Sequence, residues 1–528
     1  MKKHSLWFRA SMCMLLAAGI SVVSAENLVI LHSNDTHSLI DPDKDGRGGV
    51  LQRKAIIDSV RKAEKNVILV DAGDMVQGTL YFKYFKGDVE YPLMNMLGYD
   101  IRILGNHEFD NGLADLAKYY KEVKAARLSA NYDFSETSLK GMFDPYVIKK
   151  VGGKKIGFIG INVDPAGLIS KENYEGMKFR NVISAANETA AYLKNDKKCD
   201  LVVVVSHIGV VKENDKDTDY DLARASKDID IIIGGHSHTV IRPGSEGTYP
   251  SIVENADGRP VLVAQTGKYG KYLGYIKIDL DALKKVTPSE FDYQLIDVTD
   301  RFPADQLDPK VKAFIAPYKH KVDSVNSRVI GRSLYDLNSD DRNGGYANWA
   351  ADFARWFGQL KLDSLAGVGG MPARLDMGVM NVGGIRQNMP EGDVTEGQML
   401  ATFPFANHMV VTAVRGADII DALRAAARKG GEGISENVRV VTDGDGSLIR
   451  VVIDGNEMDP EKTYTVATID YVAAGNDDLE GFGRGNVLWR DDVEMAVPML
   501  RYVEHLTSLG LPIAPDPTGR FQKQVSLP

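Results

Sequence analysis

Ile101-Arg102-Ile103-Leu104 runs directly into Gly105-Asn106-His107-Glu108-Phe109-Asp110-Asn111-Gly112. A short, mostly apolar run that breaks at a glycine and then offers amide, imidazole and carboxylate groups reads as a covered strand with polar side chains at its carboxyl end. The same figure recurs on both sides of it. Residues 28–31 lead into Asn34-Asp35-Thr36-His37, and residues 67–70 into Asp71-Ala72-Gly73-Asp74. Residues 201–205 lead into Ser206-His207, and residues 229–233 into Gly234-Gly235-His236-Ser237-His238. With further apolar runs at 156–161 and 261–264 and helix-like stretches such as 49–65 and 187–194, the pattern is that of an α/β domain with a largely buried sheet. Five strands thus place metal-type ligands at their carboxyl ends, where open α/β sheets bind ligands, and one shared edge is expected to collect them all.

The residue types fit that expectation. Hard divalent ions that activate water take imidazole, carboxylate and amide oxygen and keep a position open for solvent or phosphate. Two ions side by side need a bridging carboxylate, for which Asp74 is the natural choice, with about three further ligands each. Asp35 with His37, and His236 with His238, are expected to present both side chains on one side of an extended segment. One histidine alone says little, but five of the ten fall in or just after strand ends. No cysteine joins the set.

Composition sets the outer bounds. The chain has 528 residues, 44% hydrophobic and 26% charged, which describes a folded chain of two or three domains. Lys2, Lys3 and Arg9 precede an apolar run over 12–23 that ends in Val23-Ser24-Ala25, the pattern of a secretory leader, residues 1–25. No later stretch reaches the roughly 18 apolar residues of a membrane span. The expected product is periplasmic or secreted, with no membrane insertion after leader removal. Losing the leader leaves Cys199 alone, so no internal disulfide is expected. A formal net charge of −9 disfavours nucleic acid as a partner. Asp41, Asp43, Asp45 and Gly46 mimic the start of a calcium loop, but Gln52 stands where its bidentate glutamate belongs, and an acidic surface turn is expected. Near Asp305 the texture changes. Asp308 caps and Pro309 starts a helix with an apolar stripe of Val311, Phe314, Ile315, Tyr318, Val322 and Val325. Beyond it come Gly-rich turns, alternating strands and an Ala-rich helix over 417–428.

The ordered set NDTH, GD, GNHE, SH and GHSH resembles the calcineurin-like metallophosphoesterase superfamily. The longer strings LGNHEFDNG and GGHSH resemble its exported 5′-nucleotidase branch, the bacterial 5′-nucleotidase and UDP-sugar hydrolase family. The resemblance continues through NVGGIR, FPFANHMV and residues 471–477, and so covers essentially the whole mature chain. It implies a metallophosphoesterase domain over 26–305 with buried mixed β-sheet layers flanked by helices. A linker helix over 306–328 then joins it to a smaller α/β substrate-binding domain over 329–528.

Carried over by motif, one divalent ion is held by Asp35, His37, Asp74 and His238, and the other by Asp74, Asn106, His207 and His236. The residue types leave zinc, manganese, cobalt and iron open. His107 becomes the catalytic histidine, oriented by Asp110 and kept protonated near neutral pH. Asn381, Arg386, Phe405, Tyr471 and Asp477, with Arg342 in support, become the substrate contacts. The implied partner is a small-molecule nucleotide, acted on by a monomer or homodimer. The chain departs from the family pattern at Val382 and Asn476, where glycines are usual, and at Leu479, where an aromatic is common. The implied activity is release of phosphate from nucleoside 5′-monophosphates. UDP-sugar hydrolysis, 2′,3′-cyclic-nucleotide phosphodiesterase activity and a non-catalytic nucleotide-binding protein are the alternatives.

Overall fold

The computed structural model describes residues 26–212, 216–366 and 371–524, so the leader read at 1–25 lies outside the described residues. The first α/β body contains two six-stranded mixed sheets rather than one. In the first, Asn27–Ser33 pairs antiparallel with Tyr272–Asp279 and parallel with Val67–Asp71, and parallel pairing continues to Ile101–Arg102 and Ala126–Arg127. In the second, Leu201–His207 lies parallel between Lys154–Asn162 and Ile231–Ile233, and Ile231–Ile233 pairs with Pro260–Ala264. The two sheets pack face to face through Leu28, Ile30, Val70, Ile101, Phe158, Val203, Val205 and Ile231, all 0% exposed or nearly so.

Alternate residues of the same strands, Val29, Leu31 and Leu69 on one sheet and Val202, Val204 and Ile232 on the other, face outward and are buried too. Strands covered on both faces read as continuous apolar runs. That is why the runs in the sequence mark strands but not which sheet each one enters. The expected helix over 49–65 is Val50–Ala63, and the stretch over 187–194 lies inside Val182–Asn195.

The linking helix is Pro309–Asn326, and the Asp308 side chain accepts hydrogen bonds from the backbone N–H of Lys310 and Val311. Val311, Ile315, Val322 and Val325 bury themselves in a core cluster made mostly of the first body and joined by Leu400 and Ala401 of the second, despite Pro317 within the helix. The second α/β body has a five-stranded sheet in the order Gly433–Ile434, Met377–Met380, Thr463–Ile469, His408–Arg415, Asn486–Glu494, backed by the helix Gly345–Ser364. Its predicted Ala-rich helix is Gly416–Arg428. Functional candidates again stand at strand ends: Asn381 follows Met377–Met380, and Tyr471 follows Thr463–Ile469.

In the calcium-like turn, Asp43 Oδ2 is 2.6 Å from Lys271 Nζ, and Asp41 accepts from Tyr81 and Lys319. Those carboxylates are neutralised by the protein's own cations. Cys199 is buried and unpaired.

Candidate metal centre

The carboxyl ends of the two sheets meet, and the ligand loops converge where they do. Asp35, His37, Asp74 and Asn106 come from the first sheet, and His207, His236 and His238 from the second. The site therefore joins two sheets and is not one edge of a single sheet. Nor are the ligands extended. Asp35, His37, Asp74, His236 and His238 have φ of 49°, 44°, 54°, 73° and 55°. Left-handed backbone at a non-glycine residue costs of order 1–3 kcal/mol and persists where the surroundings impose it. Here the surroundings are backbone ties across the site: Asp35 N–H donates to Gly73 O, His37 N–H to Asp74 O, and His236 N–H to the Asp35 carboxylate at 3.0 Å.

Two clusters result, Asp35 with His37 and His238, and Asp74 with His207 and His236. His37 Nε2 and His238 Nε2 are 3.0 Å apart, and Asp35 Oδ1 is 3.8 and 3.4 Å from them. Asp74 stands between the clusters. Its Oδ2 is 3.2 Å from His207 Nε2 and 4.0 Å from His37 Nε2, while its Oδ1 accepts the His107 backbone N–H at 2.9 Å. Among the described residues Asn106 Oδ1 is buried without a hydrogen-bond partner, and His207 Nε2 is buried facing the Asp74 carboxylate. The opposite ring nitrogens, Nδ1 of His37 and of His207, meet the carbonyls of Val76 and Ala72.

This arrangement fits a pair of cations. Facing imidazole nitrogens and an orphaned amide oxygen converge on points where a positive charge would sit, and the carbonyl partners hold each ring with Nε2 free to ligate. The charges of the two clusters also act on one another. Burial, the Arg386 charge and the neighbouring imidazoles hold His37 well below the usual histidine value, although Asp74 opposes them. Burial and His207 bring His236 down to about 3. His207 goes the other way: Asp74 outweighs burial and raises it to about 10.

Asp110, read as the orienting carboxylate, ends the short helix His107–Phe109 and places its two oxygens 3.1 and 3.2 Å from His107 Nδ1. Burial alone would depress the His107 pKa; Asp110 and Asp74 outweigh it and raise the pKa. The ring lies near the Phe405 ring, with centroids 5.7 Å apart and planes 30° apart. Both belong to one cavity of about 690 Å³ that runs from Asp74, Asn106, His236 and His238 to Arg342, Asn381, Arg386, Tyr471 and Asp477.

All the named substrate residues are thus brought together. Asn381 Nδ2 donates to Asp477 Oδ2 at 2.5 Å and leaves its own buried Oδ1 unsatisfied. Tyr471 Oη lies 3.2 Å both from Asp477 Oδ1 and from the Leu168 carbonyl of the first body, two acceptors within reach of its one proton. Arg342 is tied to Glu432, 2.7 Å away, whereas the Arg386 guanidinium has no carboxylate partner among the described residues and faces the Phe405 ring. Of the three departures, Asn476 donates to the Tyr471 carbonyl, the Val382 N–H meets Glu432, and Leu479 is core.

Sequence reasoning missed the groups behind the ligands. Asn34 donates to Asp35 Oδ2 at 2.6 Å and is itself held by Thr266 and Gly267. Glu108 accepts three backbone N–H groups, from Asp74, Met75 and Gly105, and so ties two ligand loops together. Gly105 has to be glycine there, because a Cβ would collide with the Asp74 carboxylate. The only signal in the sequence was proximity: Asn34 and Gly105 stand beside a candidate ligand, and Glu108 stands two positions from one.

Residues 28–240 match the family described as calcineurin-like phosphoesterase, and residues 324–484 match the 5′-nucleotidase C-terminal domain. The snake venom 5′-nucleotidase of Naja atra is 30% identical over 502 residues, 85% of this chain and 90% of that one. The 5′-nucleotidase of Homo sapiens is 29% identical over 465 residues, 82% of this chain and 78% of the human one. The crystal structure of a 5′-nucleotidase precursor from Thermus thermophilus superposes with a TM-score of 0.79 at 28% identity, covering 95% of this chain and 100% of that chain.

Proposed function

Because the chain belongs to the 5′-nucleotidase family and is a phosphoric ester hydrolase of that type, we propose that it releases inorganic phosphate from nucleoside 5′-monophosphates with two divalent ions, after export. The observation that carries the reading is that one cavity reaches both clusters, through His238 of the first and Asp74 and His236 of the second, and joins them to Phe405, Tyr471 and Asp477. In this reading residues 26–305 form the metal-bearing domain and 329–528 the nucleoside-binding domain. Asp35, His37, Asp74 and His238 hold one ion, and Asp74, Asn106, His207 and His236 the other. Two such ions lower the pKa of water and neutralise phosphate charge during in-line displacement.

The chain's own groups do the rest. Arg386, a cation beside the histidines, meets the phosphate. Asp110 accepts from His107 Nδ1, leaving the Nε2 proton to stabilise the departing 5′-oxygen. Phe405 and Tyr471 take the faces of the base, a contact tolerant of base identity, and Asp477 accepts from the ribose hydroxyls. Among the described residues no helix is long and apolar enough to cross a membrane, in keeping with a periplasmic or secreted product.

The test is a substrate panel on chelator-stripped protein refilled with zinc, manganese, cobalt or iron, one at a time. Phosphate release from AMP and other 5′-monophosphates, restored only by added ion, is expected. Turnover confined to UDP-glucose or a 2′,3′-cyclic nucleotide would replace the substrate assignment, and full activity in the stripped protein would overturn the metal assignment.

A further inference from the structure

Tyr269 lies in the loop between the strands Pro260–Ala264 and Tyr272–Asp279, where the two bodies touch, and makes three contacts of different kinds. Its backbone N–H donates to the Asp35 carbonyl at 2.6 Å. Its ring stands edge-on to His37, with centroids 5.9 Å apart and planes at 66°. Its hydroxyl donates to the backbone carbonyl of Arg386, in the other body, at 2.9 Å. The backbone of Tyr269 is itself left-handed, φ 67°, a conformation a bulky side chain adopts only when held there.

From the other side, the Arg386 N–H donates to Thr402 O within its own domain, and the neighbouring Gln387 side chain donates to Gly78 O across the cleft. The backbone of Arg386 is thus pinned between the helix Glu396–Thr402 of its own domain and the first domain, while its guanidinium, beside the histidines, has no carboxylate partner among the described residues. A phenylalanine at 269 would keep the ring contact and lose only the tie to Arg386.

We infer that Tyr269 is a positioning residue that sets Arg386 against the metal-ligand cluster, so that the phosphate-binding cation and the ion ligands, which belong to different domains, share one register. The inference rests on the proposed role of Arg386 at the phosphate. A neutral hydrogen bond of this kind is worth about threefold to tenfold in binding.

The experiment compares wild type, Tyr269→Phe, Arg386→Ala and the double variant, each loaded with metal. It reads KM and kcat for AMP, inhibition constants for inorganic phosphate and for adenosine, bound metal per chain and melting temperature. In Tyr269→Phe, KM and the phosphate inhibition constant are expected to rise about threefold to tenfold, while adenosine inhibition, metal content and melting temperature stay at wild-type values. On the Arg386→Ala background, Tyr269→Phe is expected to add nothing. Unchanged phosphate inhibition in Tyr269→Phe, while Arg386→Ala weakens it, would overturn the inference alone. So would additive effects in the double variant, or loss of bound metal in Tyr269→Phe, which would put the role of Tyr269 at Asp35 and His37. If Arg386→Ala leaves phosphate inhibition unchanged, the phosphate role of Arg386 falls, and the inference with it.

Discussion

Nε2 of His207 lies 3.2 Å from Oδ2 of Asp74, in the protein interior, although the two residues belong to different sheets. Neither group has a second use that would explain the approach, since His207 gives its other nitrogen to the Ala72 carbonyl and Asp74 gives its other oxygen to the His107 N–H. The pair is the point at which the two sheets' ligands come into register.

Asp74→Asn keeps the shape and removes the charge that both clusters share. Even partners one shell further out cost 10–100-fold in metal affinity or activity, so a loss of at least about a hundredfold in phosphate release is expected. Bound metal per chain, measured by elemental analysis after dialysis, should fall with it.

His107→Gln is expected to lower kcat for AMP by about 10²–10⁴ while the protein retains its metal. The loss should be smaller for p-nitrophenyl phosphate, whose leaving group needs little help from an acid. Equal losses on both substrates would remove His107 from the leaving-group side of the reaction.

Asp477→Ala takes an acceptor from the nucleoside end of the cavity. KM for AMP is expected to rise about tenfold or more, given the usual worth of a hydrogen bond to a charged group. Hydrolysis of p-nitrophenyl phosphate, which has no ribose, should be unaffected. Steady-state kinetics on the two substrates decide the point.

Glu90 starts the helix Glu90–Leu97, is 3% exposed, and has both carboxyl oxygens buried away from any cation among the described residues. Burial raises its pKa from 4.5 to about 7. The folded chain therefore holds a proton that the unfolded chain releases between those values, so this group's contribution to stability declines as pH rises through that window and is constant above it. Glu90→Gln removes the ionisation. It is expected to be more stable than wild type at pH 8, by at most about 3 kcal/mol, with the difference vanishing below about pH 4. Denaturant melts across pH test this, and a gap that is constant with pH would refute it.

Much of the candidate site's placement was legible in the sequence because strand ends are legible: an apolar run, a glycine and then a histidine or aspartate mark both the strand and the polar side chain that enters the candidate site. The linking helix was legible for a similar reason, since Asp308, Pro309 and the stripe from Val311 to Val325 each carry a local signal. What the sequence hid was relational. Val203 and Ile30 are apolar residues of covered strands alike, and nothing local says that they belong to opposite sheets facing each other. The left-handed backbone of Asp35 and His37 is hidden too, because it is held by hydrogen bonds to Gly73 and Asp74, far away in the chain. Tyr269 lies outside every ligand motif, and only the docking of the second domain gives its hydroxyl a partner.

The division of ligands between two sheets also fixes when the centre can exist. His37 and His238, whose ring nitrogens meet, are separated by 201 positions of chain. No growing chain that stops short of His238 can close the first cluster, and the second waits likewise for His236. A two-ion centre of the proposed kind can therefore close only after both sheets have formed and met.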